Sequence, residues 1–330
     1  MKKIMIPNRL CSIALSVLLF FSMTFVSCSK DDSMNSSGTS GSGGSGSAPT
    51  ALSITDAPID DASVSGAFVT IADIKLDGQS VAGFTKTTIN LAAYQNGATT
   101  TIGNFNLTGK TYSSISFVLD FDTDASGNAP GSYILTTGAV KHKLQSTSNV
   151  ITVSKSFTLV TSASNSLVAD FDLRKMIIHQ SGGPTDHYDF ATSAELQNDV
   201  RLVVETQTGT ISGTFTDAIS GSGKVVAYAY KKGTFNRSTE LTGQGASNVQ
   251  FQNAVSSALV TAGGSYQFHF LENGDYEIHF ASYKDTNADG EFELQGTIEA
   301  IAAGGLDLLN LNLASNATLT ANATATVVLP

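Results

Sequence analysis

The sequence predicts an all-β fold, two antiparallel β-sandwich domains behind a flexible tether, and three observations predict it. The 330 residues are 41% hydrophobic but only 14% charged, with 30 Gly and no Trp, a balance that suits strands and turns better than helices. From Leu52 onward, short segments alternate apolar and polar residues, the period of a strand with one wet face. Many small polar residues beside 30 Gly and six Pro describe short strands joined by turns. The charge balance excludes one class of partner at once. Lys and Arg number 18 against 28 Asp and Glu, for a net charge of −10, and so acidic a body is repelled by phosphate backbones. Nucleic acid is not an expected partner.

Residues 1–27 read as an address. Lys2, Lys3 and Arg9 precede an apolar run from Ile13 to Val26. At about 14 residues that run is shorter than the ~20 a spanning helix needs. The segment ends on Phe25-Val26-Ser27-Cys28, which resembles a bacterial lipobox, although Phe25 and Val26 stand where Leu and a small residue are usual. The resemblance implies cleavage before Cys28 and acylation of its thiol, with palmitate among the chains, so that the protein is held to a membrane by lipid. Of the two cysteines, Cys11 leaves with the signal. The mature body therefore has no internal disulfide and no thiol nucleophile. Ser29-Lys30-Asp31-Asp32 follows. Lys30, Asp31 and Asp32 resemble the export signal of Bacteroidota surface lipoproteins, which implies the outer face of the outer membrane. Residues 28–50 complete the acylated tether, and their Ser/Gly-rich stretch cannot bury apolar surface. Gly41, Gly43 and Gly46 spell GxGxxG there. Without a strand before it or a helix after it, the match is compositional.

Residues 51–206 form the first expected β-sandwich. Ile115, Phe117, Leu119 and Phe121 share one face of a strand. Leu167, Ala169, Phe171 and Leu173 oppose Asp170 and Asp172 on another. Similar runs fall at 67–76, 132–137, 149–160 and 200–206, and only 191–198 reads as a helical turn. Ile54-Thr55-Asp56-Ala57-Pro58 with Asp60-Asp61, then Asp170-Phe171-Asp172-Leu173-Arg174-Lys175 and Val200-Arg201-Leu202-Val203, resemble the family called domain of unknown function 4382. That family implies a bacterial lipoprotein ectodomain and no activity. Residues 207–330 form the second expected sandwich. Gly264-Ser265-Tyr266-Gln267-Phe268 with Gly274-Asp275-Tyr276 resembles prealbumin-like, carboxypeptidase-regulatory domains, which serve as spacers or binding modules.

Three groups of residues are candidates for chemistry. Asp285, Asn287 and Asp289 at alternate positions before Gly290, with Glu291 and Glu293 after it, fit the start of a calcium loop. The twelfth-position acid is replaced by Gly296, and Asp-Gly is equally a hairpin turn. Calcium is thus the only cofactor candidate. Asp122 to Asn128 is a poorer copy of the same pattern. Asp56, Asp60, Asp61, Asp170 and Asp172 would gather on one rim if the first and late strands were neighbours, and paired carboxylates can do acid–base work. The ordinary expectation for them is solvation on a wet face. His269 and His279 are expected on the polar faces of adjacent strands, facing solvent. With no catalytic constellation, the sequence favours a non-enzymatic surface lipoprotein ectodomain binding or adhering to an external glycan or protein. A surface hydrolase using the first domain's acids, or a structural accessory subunit of an outer-membrane assembly, is the alternative.

Overall fold

The computed structural model describes residues 46–57, 61, 63–180, 187–219, 223–286 and 292–330, and these form one compact unit. The signal, Cys28, Lys30, Asp31 and Asp32 lie outside the described residues, as do Asp60 and Asn287, Asp289 and Glu291 of the calcium-loop candidate. No helix among the described residues is long and apolar enough to cross a membrane.

The N-terminal half is a sandwich of two sheets. One has the order Val200–Val204, Asn165–Asp172, Ser47–Ala57, Thr100–Thr108; the other centres on Val64–Leu76, flanked by Ile115–Leu119 and Tyr133–Thr136. Phe117 meets Phe171 edge-on across the interior, at 5.2 Å between ring centroids, so the alternating apolar positions of both strands face one core. The first strand begins at Ser47, with Ala48 fully buried, four residues inside the stretch that composition assigns to the tether. The helical turn expected at 191–198 is the helix Ser193–Asp199, opened by a capping box between Thr192 and Glu195.

Pairing is antiparallel with exceptions that correct the sequence expectation. Ser47–Ala57 runs parallel to Asn165–Asp172, in register from Thr50 opposite Asn165 to Ala57 opposite Asp172. Parallel strands are usually covered on both faces, and this one is: Val168, Asp170 and Asp172 are as buried as Leu167, Ala169 and Phe171. Thr208–Thr216 is also parallel to Thr318–Thr320 and to Ala323–Leu329.

The C-terminal half is one curled sheet of nine strands. Its main path runs Ser256–Leu259, Lys224–Lys231, Gly274–Lys284, Glu293–Ala302, Ala323–Leu329, Thr208–Thr216, Ser265–Glu272. Ser265–Glu272 and Gly274–Lys284 are consecutive yet do not pair. Only Asn273 separates them, fewer residues than the two of the shortest common hairpin, so the chain arches to the opposite wall. Tyr266 and Phe280 then meet across the core at 5.4 Å. This overturns the expectation that His269 and His279 share neighbouring strands.

Candidate functional site

The acids of the first half do gather, but against the second half and not in water. The parallel pairing sets Thr55 beside Asp170 and Ala57 beside Asp172, which brings Asp56, Asp170 and Asp172 together. All three are more than nine-tenths buried, correcting the expectation of a solvated face. Asp170 Oδ2 takes Arg201 at 2.6 Å; Asp172 Oδ2 takes Arg174 and Lys175, each at 3.3 Å. Burial pushes the Asp172 carboxyl up, but those two cations outweigh it and hold it below its usual range. Asp56 has no such partner. Burial, with the charges of Asp170 and Asp172 adding to it, raises its carboxyl well above normal, against a lowering bond from Leu173 N–H.

The same cations bridge to main-chain carbonyls of the C-terminal half. Arg174 donates to Gln250 O at 2.6 Å and Phe251 O at 3.3 Å, Lys175 to Ala254 O at 2.6 Å, and Arg201 to Phe270 O. Phe251 and Phe270 have φ of 52° and 53°. A left-handed backbone costs a non-glycine residue about 1–2 kcal/mol, and each such residue turns its carbonyl onto an arginine. A hydrogen bond from a charged group contributes about 1.5–3 kcal/mol, enough to offset that strain. Lys155 adds a bridge to Glu272 at 2.6 Å, and Ser247 donates to Glu195 through both N–H and hydroxyl. The motif Asp170–Lys175 is therefore a clamp between the N-terminal and C-terminal halves. Sequence polarity put Asp170 and Asp172 on a wet face without showing what covers them.

The described residues of the other candidates make local contacts. Asp61 accepts from Ser63 N, Ser63 Oγ and Tyr188 Oη, with His179 stacked on Tyr188 at 4.1 Å. Its carboxylate is saturated by an internal network. Asp124 accepts from the N–H groups of Ser126 and Asn128, both at 2.8 Å, so the poorer calcium pattern is an Asx turn. In the better pattern, Lys284 lies opposite Glu293 and Thr286 donates twice to Glu293 Oε2. Asp285 and Glu293 flank residues 287–291, which lie outside the described residues. Among the described residues no three His, Cys, Asp or Glu are arranged to hold a metal. His269 packs on Gly97, where a Cβ would come within 2.4 Å of its ring, and His279 stacks on Phe235 at 3.7 Å. Neither faces open solvent. Burial lowers both imidazoles, the one in His279 against the opposing charge of Glu277.

An apolar groove of about 640 Å³ lies in the C-terminal half. Glu293–Ala302 pairs with Gly274–Lys284 only as far as Ile298, then turns away alongside Ala323–Leu329. The fork is bridged by residues 303–310, where Gly304 and Gly305 adopt φ of 72° and 78° and Ile278 N–H donates to Leu308 O. Ile278, Ile298 and Leu308 form the buried floor, while Ile301 and Leu309 stand 62% and 51% exposed at the lips. The Phe235–His279 stack and Arg237 line it as well, and Glu299 and Asp307 are exposed acids in its wall. Size and apolar walls with a few polar groups are those of a ligand site. Leu309 alternates with Leu311 and Leu313 along the sequence, the pattern of one strand face. Only the last two are in the core; the apolar run after Gly304-Gly305 was the available signal.

Residues 47–191 match the model of a family described as Domain of unknown function (DUF4382). A search of curated proteins finds no match. Among solved structures, the Bacillus anthracis TIE protein is 11% identical with a TM-score of 0.19, the match covering 84% of this chain and 34% of that one. The chain thus spans about a third of that protein's length. The major pilin subunit of Bacillus cereus is 9% identical with a TM-score of 0.21, over 85% of this chain and 71% of its own. A minor pilin of Streptococcus agalactiae is 11% identical with a TM-score of 0.19, over 85% and 98%. Likeness at this level assigns no activity.

Proposed function

We propose that this chain, which carries a DUF4382 domain over residues 47–191, is a non-catalytic surface lipoprotein ectodomain that holds an apolar segment of a partner protein in its C-terminal groove. The groove is the observation that carries the reading. Its lips are aliphatic, and its two aromatics are already engaged, Phe235 by His279 and Phe280 by Phe215 in the core. Such walls suit leucine-like side chains better than the faces of a sugar. Exposed Glu299 and Asp307, on a chain of net charge −10, favour a segment flanked by lysine or arginine. The clamp supports the non-catalytic part, because Asp170 and Asp172 are committed to buried ion pairs. The lipobox-like Cys28 and the Lys30-Asp31-Asp32 cluster support attachment outside the cell.

An array of extended peptides tests this, each with a Leu/Ile/Val centre and either basic or acidic flanks. Peptides with basic flanks should bind, and Ile301→Asp with Leu309→Asp should abolish binding while leaving the melting temperature nearly unchanged, since both side chains are exposed. Binding that prefers acidic flanks, or that survives the double substitution, contradicts the reading.

A further inference from the structure

The first sheet of the N-terminal half ends on an open edge. Thr100–Thr108 is its last strand, and among the described residues that strand pairs only with Ser47–Ala57. Alternation fixes which of its main-chain groups are free. Gly109 N–H donates to Gly46 O at 2.9 Å, which turns Gly109, and with it Leu107, Phe105 and Gly103, toward the neighbouring strand. Asn106 stands opposite Pro49, which has no N–H to give. Asn104 and Asn106 therefore point N–H and C=O outward along the edge, and both residues are exposed. The open stretch has two ends. Ile102 is an extra residue in the pairing, between Thr101 opposite Ser53 and Gly103 opposite Leu52. At the other end Tyr112 Oη donates to Thr108 O.

An unpaired edge is a template for another strand, and folded proteins guard it with charge, proline or a covering element. The other margins of the sandwich are guarded. Lys141–Lys143 carries two exposed lysines, while Val150–Val153 and Val200–Val204 lie against one another. Thr100–Thr108 holds neither charge nor proline. It is also complementary to itself. Antiparallel pairing about a twofold axis at Phe105 sets Asn104 opposite the second copy's Asn106, and the reverse, so the outward groups of both residues all find partners. Gly103 then faces Leu107 of the second copy. The Phe105 ring lies over Gly103, where a Cβ would come within 2.0 Å of it, so half-buried Leu107 gains an aromatic face. No like charges meet across the axis. An unrelated strand could use the same bonds, but an open stretch that ends two residues either side of Phe105 fits its own reversed copy best. We infer that this edge joins two copies of the chain into one continuous antiparallel sheet. The interface is small, so the dimer forms as concentration rises. The net charge of −10 opposes it, and added salt should strengthen it.

Sedimentation velocity of the whole chain, over a roughly hundredfold range of concentration reaching the weak-dimer regime, tests the inference. The mass should rise toward that of a dimer, and hydrogen exchange in residues 100–108 should slow as it does. Asn104→Lys with Asn106→Lys sets lysine opposite lysine across the axis and should weaken association about tenfold. Asn104→Lys with Asn106→Asp sets lysine opposite aspartate and should associate as wild type does. Both positions are exposed, so the melting temperature of either variant should stay nearly unchanged. A monomer throughout the range overturns the inference, even where some other protein occupies the edge. So does association that the two double variants change equally or not at all, or that leaves exchange in residues 100–108 unaltered, because the contact then lies elsewhere.

Discussion

Burial lifts the Asp199 carboxyl to about 6 from an ordinary 3.8, with Lys175 and Gln252 offsetting it only in part. A raised folded-state value means that the protonated form is favoured by folding. The stabilisation is complete below the unfolded value near 3.8 and is lost as pH rises through 6. At neutral pH the ionised group costs the fold about 3 kcal/mol relative to the protonated one. Asp199→Asn should therefore raise the melting temperature at pH 7.5 and confer little at pH 4.5. An equal gain at both pH values would remove the titration argument. Asp56 shows the same physics with more charge around it. Its Oδ2 atom, Ser257 Oγ and His269 Nε2 are all buried and unpartnered around a space of about 20 Å³, the room of one water. Sequence alternation put Asp170 and Asp172 on the correct face of a strand. Polarity alone could not say whether that face met water or Arg174, Lys175 and Arg201.

Strands were legible where apolar residues recur over several positions, as at Asn165–Asp172 or Lys224–Lys231, although both of these are covered on both faces. They were illegible where small residues form the strand: Ser47–Ala57 opens with Ser-Ala-Pro-Thr, and Thr100–Thr108 carries a central glycine. Pairing partners were harder still, since the arch at Asn273 looks locally like a hairpin. Gly213, midway along Thr208–Thr216, has a tertiary reason to lack a side chain. A Cβ there would lie 1.9 Å from Ala321 O, and Tyr266 Oη donates to that same carbonyl. Gly213→Ala must push the 318–329 strands off the sheet they join in parallel. A loss of about 2 kcal/mol, typical of overpacking, should appear as a melting point several degrees lower. An unchanged melting point would mean that those strands adjust freely.

At the scale of the whole molecule, the address and the body are argued on different grounds. The anchoring we propose rests on residues 1–32 of the sequence, and Cys28→Ala should abolish metabolic labelling by palmitate without altering the fold; persistent labelling would contradict the proposed anchor. The body rests on the clamp. A mostly β body was legible from composition and alternation, but the junction of its two halves was not. It is built from carbonyls of Gln250, Phe251, Ala254 and Phe270, and backbone groups leave no mark in a sequence. The central claim is that the Asp170–Lys175 motif and Arg201 fasten the halves together. Removing one partner of a buried ion pair costs about 3–5 kcal/mol, and here that loss should be felt on both sides of the junction. Hydrogen exchange followed by mass spectrometry on Arg201→Ala and on wild type is the direct measurement. Protection should fall together in residues 165–175 and in residues 250–257 and 265–272. Loss confined to the strand carrying the substitution, with the C-terminal segments as protected as before, would contradict the account.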